Sequence, residues 1–188
     1  RSARRCAHRS QGSSTAPGAA RQPRVGIGIV AGGDAPPALG LDLDQAFAEV
    51  MAACAEPRVG ESGTWITRDM LRAYRQLHEQ GAAHSLEVWE GDELAGGIYG
   101  LSLGSVFFGE SMFSRRTDAS KIALIALCRQ LQQWEYGLLD CQVGNPHLYR
   151  MGAQQMSRQR FEGLLEKLIG DPRPMGNWQN CFMFEQCW

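Results

Sequence analysis

Between His84 and Glu110 the chain alternates apolar and polar residues with little in between. HSLEVWE (84–90) is followed by a Gly91-Asp92 turn, ELAGGIYG (93–100), a break at Gly104 and SVFFGE (105–110). A period of two puts every second side chain on one face of a sheet, and connections this short leave no length for a crossover. Three strands joined in this way form an antiparallel meander, whose apolar face another layer has to cover.

The covering layer is written on either side. Order begins near Asp42, where Leu43, Phe47, Val50, Met51 and Cys54 share one face at helical spacing until Pro57 ends the pattern. A second helix opens on Thr67 as N-cap, carries Met70, Leu71, Tyr74, Leu77 and His78 on one stripe, and stops at Gly81. Both are expected before any strand. After the meander, Asp118 is expected to cap a helix from Ala119 to about Trp134, apolar around most of its girth and therefore packed against the sheet. GLLDCQV (137–143) reads as a short buried strand and PHLYRMG as a short helix. A last helix follows from Ser157 with Phe161, Leu164, Leu165 and Leu168 inward. The order ααβββαβαα describes an α+β domain whose antiparallel sheet becomes mixed when a helical crossover adds a strand.

That domain occupies residues 42–169, leaving 170–188 as an irregular tail and 1–41 as a disordered leader with a Gly/Pro linker. Residues 1–24 hold six arginines and no acid, so the rest of the chain has 13 of the 19 basic and all 20 acidic residues, a net charge of −7. Such a composition suits a disordered segment or an organelle transit peptide. Gly26, Gly28 and Gly32 are spaced GxGxxxG rather than as a dinucleotide loop, and Pro36-Pro37 arrives where the helix of such a loop would run. No stretch reaches the roughly 20 apolar residues of a membrane span. The six cysteines form no CxxC pair, which excludes a zinc ribbon and fits reduced intracellular thiols.

Candidate chemistry gathers in LLDCQVGNPHLYRMGA (138–153). On a regular strand Asp140 and Gln142 share a face while Cys141 points the other way, so the three cannot line one cleft. A Cys141 nucleophile with His147 as base lacks an orienting partner for the imidazole, and Pro146 intervenes. A cysteine among Leu138, Leu139 and Val143 packs as a small hydrophobe. Asp140 is open to two readings: its oxygens cap the following turn, or its desolvated carboxylate serves as a base. Glu110, preceded by a glycine after an apolar strand, is either a solvated strand end or a second carboxylate of a cleft that holds an amine or guanidinium.

The blocks GTWITRDMLRAYRQLHEQGAAHSLEVWE, LAGGIYG, FFGESMFS, DASKIAL and LLDCQV resemble, in order and spacing, those of bacterial leucyl/phenylalanyl-tRNA-protein transferases. The resemblance covers about residues 42–169. It implies a GNAT-like acyltransferase fold, and an enzyme that moves Leu or Phe from Leu-tRNA or Phe-tRNA to the N-terminal Arg or Lys of a protein, tagging it for N-end-rule degradation. It also implies no metal or organic cofactor, since the tRNA ester is already activated, and a cytoplasmic monomer without a membrane partner. Asp140 and Gln142 take the catalytic roles, and Glu110 favours a cationic acceptor. Ile98, Phe107, Leu124, Leu127 and Leu139, with Gly109 leaving room, align with a pocket for a Leu or Phe side chain, although each alone also suits plain core packing. Trp65 is similar to a family Trp near the 3'-terminal adenosine, where an aromatic face stacks on the base. Residues 1–41 match neither the Trp-rich segment nor the Arg-rich helix of the family's N-terminal domain, so weak tRNA binding or an inactive chain is expected. The alternatives are an acyl-CoA-dependent N-acyltransferase, for which SRRTDASK (114–121) lacks a glycine-rich phosphate loop, and a non-catalytic remnant that binds N-terminal peptides.

Overall fold

A computed structural model describes residues 25–27, 39–57, 64–171, 173, 176–179 and 181. The arginine-rich leader of residues 1–24, the stretch 28–38 and most of the tail lie outside the described residues. The elements are β1 Val25–Ile27, β2 Leu39–Leu43, α1 Phe47–Cys54, α2 Arg68–Glu79, β3 Ala83–Glu90, β4 Glu93–Leu103, β5 Val106–Ser114, α3 Ala119–Gln133, β6 Leu138–Asp140, α4 Pro146–Arg150 and α5 Arg158–Leu168. The strands form one sheet in the order β1-β2-β3-β4-β5-β6, antiparallel except for the parallel pair β5–β6.

The meander stands where alternation put it, and β6 joins it through α3 as a helical crossover. The start of the domain differs from expectation. Two strands precede α1, and Leu43 ends β2 rather than beginning a helix. In LGLDL, Leu39, Leu41 and Leu43 have a period of two, and Leu41 and Leu43 are buried on the face that α3 covers. A four-residue step from Leu43 to Phe47 disguises the strand as helix. Asp44 makes the break with φ +56°, and the linker reading fails at Val25–Ile27, which pairs with β2.

Each face of the sheet has its own core. On one, Leu86, Val88, Ile98 and Phe107 pack under Ala123, Leu124, Leu127 and Leu131 of α3. On the other, Tyr99 and Ala83 pack with Phe47, Val50 and Met51 of α1, and α2 lays Met70, Leu71, Tyr74 and Leu77 over them. The first turn of α3 reaches β4 because Gly96 has no side chain; a Cβ there would sit 2.6 Å from that of Ala119. Asp118 does not cap α3 through its side chain; it stands at φ +63° and its carboxylate holds Lys121 instead.

The irregular tail reaches deep into this frame. Trp178 is buried with its ring stacked 3.6 Å from that of His84, and its backbone N–H donates to Asp44 Oδ2 at 2.8 Å. The same carboxylate accepts Ser85 N–H at 2.9 Å and lies 2.8 Å from His84 Nδ1, so one buried acid joins β2, β3 and the tail.

Thr67 caps α2 as expected, accepting Met70 N–H at 3.3 Å. Thr67→Ala should cost about 1 kcal/mol, the usual worth of such a cap, read as a lower urea midpoint at unchanged m-value.

Candidate functional site

Strand β6 pairs with β5 over three residues, ending at Asp140 opposite Phe108. Regular alternation stops there, because Gln142 adopts φ +60°, a left-handed conformation uncommon outside glycine. The turn is tied twice. Gln142 N–H donates to Asp140 Oδ1 at 2.8 Å, and Gln142 Nε2 donates to the Gly109 carbonyl at 3.2 Å. The turn-capping reading of Asp140 holds for one oxygen, and Oδ2 accepts no hydrogen bond among the described residues.

The broken alternation also changes the place of Cys141. With the strand irregular, Asp140, Cys141 and Gln142 all line one cavity of about 810 Å³, so the expectation that the thiol faces away does not hold. Its chemistry still disfavours a nucleophile. Burial, then the neighbouring Cys128 and Asp140, push the Cys141 thiol up, away from the thiolate that attacks. His147 sits in the first turn of α4, capped by Asn145, and does not line the cavity.

Glu110 does not end its strand; β5 runs on to Ser114. The pairing moves from Gly100↔Gly109 to Tyr99↔Ser111, which leaves Glu110 as the extra residue of a β-bulge. Phe107 and Met112, an odd number of residues apart, consequently pack on the same face under α3. Gly100 makes the bulge possible, since a Cβ there would lie 2.1 Å from the Phe108 carbonyl oxygen. Glu110 lies beside the Tyr74 phenol of α2. Partial burial first, then the charge and the hydrogen bond of Glu110, push that phenol up to about 12. Beside it Tyr99 is fully buried, and its hydroxyl has no partner among the described residues; burial chiefly raises it as well.

The expected pocket residues divide. Leu124 and Leu139 line the cavity, while Ile98, Phe107 and Leu127 are buried in the core and do not line it. Gly109 leaves room of an ordinary kind, a Cβ there meeting only the Asp140 carbonyl oxygen at 3.4 Å. Trp65 is 53% exposed just before α2 and does not line the cavity. Leu148, Met151, Met156 and Phe161 add to the apolar wall, and sequence reasoning did not assign them to the site. Of these only Phe161 carried a signal, as part of the inward stripe of α5, and that stripe does not say what the helix faces.

A family model described as leucyl/phenylalanyl-tRNA protein transferase matches residues 37–166. Among curated proteins, the chain is 52% identical over 141 residues to a leucyl/phenylalanyl-tRNA–protein transferase of Nitrosomonas europaea, covering 75% of this chain and 60% of that one. It is 59% identical over 124 residues to the protein of that name from Hahella chejuensis, covering 66% of this chain and 53% of the relative. The chain thus spans little more than half the length of the relatives it matches. Solved structures give looser likenesses. A ribosomal-protein-alanine N-acetyltransferase from Brucella melitensis biovar Abortus 2308 has TM-score 0.47 and 14% identity, covering 63% of this chain and 93% of that one. An aminoglycoside acetyltransferase from a soil metagenome, in complex with sisomicin, has TM-score 0.48 and 11% identity, covering 64% and 93%. Likenesses this loose carry no argument, and the fold rests on the strand order above.

Proposed function

The chain belongs to the leucyl/phenylalanyl-tRNA–protein transferase family, and we propose that it moves Leu or Phe from aminoacyl-tRNA to the N-terminal Arg or Lys of an acceptor protein. The observation that carries the proposal is the Asp140–Gln142 turn, pinned to Gly109 at the wall of a cavity with apolar sides.

An acceptor α-amine has a pKa near 7.7–8.0, so a useful fraction is neutral at physiological pH. Catalysis then requires positioning and a path for one proton. Asp140 Oδ2 is available to an amine N–H, and the Gln142 side chain, held by its Nε2 on Gly109, keeps its carbonyl oxygen for a second. The amine nitrogen bonds to the ester carbonyl carbon, the ester C–O bond breaks, and the proton lost by nitrogen ends on the ribose oxygen. Asp140 polarises the amine and Gln142 orients it, because an amide is too weak a base to hold the proton itself. The transferred side chain rests against Leu124, Leu139, Leu148 and Phe161, and Glu110, supported by Tyr74, receives the acceptor's cationic side chain. The ester supplies the driving force, so the reaction needs no cofactor. The GNAT-like architecture, the cytoplasmic location, the monomeric state and the role in N-end-rule degradation belong to the same proposal. No helix among the described residues is long and apolar enough to cross a membrane.

The test incubates the chain with labelled Leu-tRNA and an Arg-starting peptide. Label should enter the peptide, with Leu preferred over Ala by at least about tenfold from the apolar wall. Absence of transfer overturns the proposal for this chain.

A further inference from the structure

Strand β5 is nine residues long, yet β6 covers only Val106 to Phe108. Exposure follows that boundary. Val106 and Phe107 are fully buried, whereas Phe108 to Phe113 are half-buried. Beyond Asp140 the chain turns away at Gln142, so the edge of β5 from Gly109 to Ser114 has no strand partner among the described residues.

The orientation of that edge can be worked out. Arg115 N–H donates to the Ala95 carbonyl at 2.7 Å, which extends the β4–β5 register by one pair beyond Gly96↔Ser114. Bonded pairs alternate in an antiparallel ladder, so Phe113 and Ser111 bond toward β4 while Met112 and Ser114 turn N–H and C=O outward. The Gly109 carbonyl faces the same way, since Gln142 Nε2 reaches it. At the far end Ser114 is engaged with α3, its Oγ accepting Ser120 N–H at 3.2 Å. The open edge is roughly 15 Å long, enough for about four extended residues.

We infer that the first residues of the acceptor polypeptide fill this edge as a short strand parallel to β5, continuing the line of β6 from the point where it stops. The inference rests on the acceptor reading given above. An α-amine placed at Asp140 and Gln142 lies at the end of β6, and a chain leaving it along β5 must run in the direction of β6. Alternating N–H and C=O groups complement a polypeptide backbone rather than a ribose-phosphate chain, and the Glu110 carboxylate attracts a cationic first residue while repelling phosphate. Backbone pairing by Met112 also explains how one site accepts proteins that differ beyond their first residue, because main-chain hydrogen bonds do not read side chains.

The experiment uses labelled Arg-starting peptides, each carrying one N-methyl group at backbone position 2, 3, 4 or 5, with binding read by fluorescence polarisation without tRNA. A position that bonds to Met112 should lose about tenfold in affinity, the worth of one net hydrogen bond, with its neighbours unchanged. Met112→Pro removes the outward N–H at an edge position where proline is tolerated, and should weaken the unmodified peptide to a similar degree; Met112→Leu should not. A flat N-methyl profile, or no binding of the unmodified peptide, overturns the inference. So does a Met112→Pro variant that weakens Leu-tRNA binding and spares the peptide, which would give the edge to the donor. The N-methyl series decides the matter even if Met112→Pro does not fold. Alternating peptide binding without transfer from Leu-tRNA would sink the enzymatic reading instead, and transfer with a flat profile would sink only the strand.

Discussion

Asp140→Asn is expected to lower kcat/KM for transfer by about 10²- to 10⁴-fold, the range for loss of a positioned acid–base group. The substitution is chosen because it separates charge from structure. An asparagine Oδ1 can still accept the Gln142 N–H that closes the turn, so stability should change by less than about 1 kcal/mol. What is lost is the negative charge on the second oxygen, which among the described residues has no other hydrogen bond. Gln142→Ala should also slow transfer, by a smaller factor, because it removes the bond to Gly109 and the orientation it gives. Cys141→Ala should remain close to wild type, since burial already keeps that thiol protonated. Single-turnover rates with excess enzyme isolate the chemical step from product release. An inactive Cys141→Ala beside an active Asp140→Asn would reverse these roles.

How much of this was legible depended on whether the signal was local. The β3–β5 meander and helix α2 were readable because alternation, the Gly91-Asp92 turn and the Thr67 cap all lie within a few residues of what they specify. β2 was equally local, but Leu43 and Phe47 offered a competing helical step, and the helix reading absorbed a strand. The bulge at Glu110 was harder to see. FFGESMF is nearly apolar throughout, so a change of phase leaves no mark in the pattern, and only the packing of Met112 beside Phe107 reveals it. The left-handed turn at Gln142 was not legible at all, because no glycine announces it. Asp140 and Gln142 were nevertheless found together, partly for a reason the structure does not bear out: they meet through a closed turn rather than a shared strand face. Trp178 lies 134 residues from Asp44, and the cavity wall combines α3 with the stretch from α4 to α5; contacts at such separation leave no periodic trace.

Glu87→Gln should flatten the dependence of stability on pH, and the sign follows from where the carboxyl is held. Glu87 is fully buried between β3 and the start of α1, where its oxygens accept Ser85 Oγ–H and, at 3.4 Å each, the N–H groups of Gln45 and Ala46. Burial, opposed by the Ser85 hydrogen bond and reinforced by the charge of Asp44, raises its pKa from 4.5 to about 8. The folded chain therefore keeps a proton that the unfolded chain has lost over that interval. Stability from this group is fully present below about pH 4.5 and falls as pH rises toward 8, by at most about 5 kcal/mol at 1.36 kcal/mol per pH unit. A glutamine is neutral at every pH and still offers an oxygen to the α1 amides, so the variant should lose this slope and gain on the wild type above pH 8. Urea midpoints at pH 5, 6.5 and 8 measure the difference, and parallel pH profiles for the two proteins would refute it. The consequence reaches the site, because α1 packs on Tyr99, whose ring lies edge-on to Tyr74, the neighbour of Glu110. Above pH 8 the wild type should lose its grip on the acceptor side chain before it loses Asp140, with KM for the Arg peptide rising ahead of any fall in kcat, and Glu87→Gln should delay that rise.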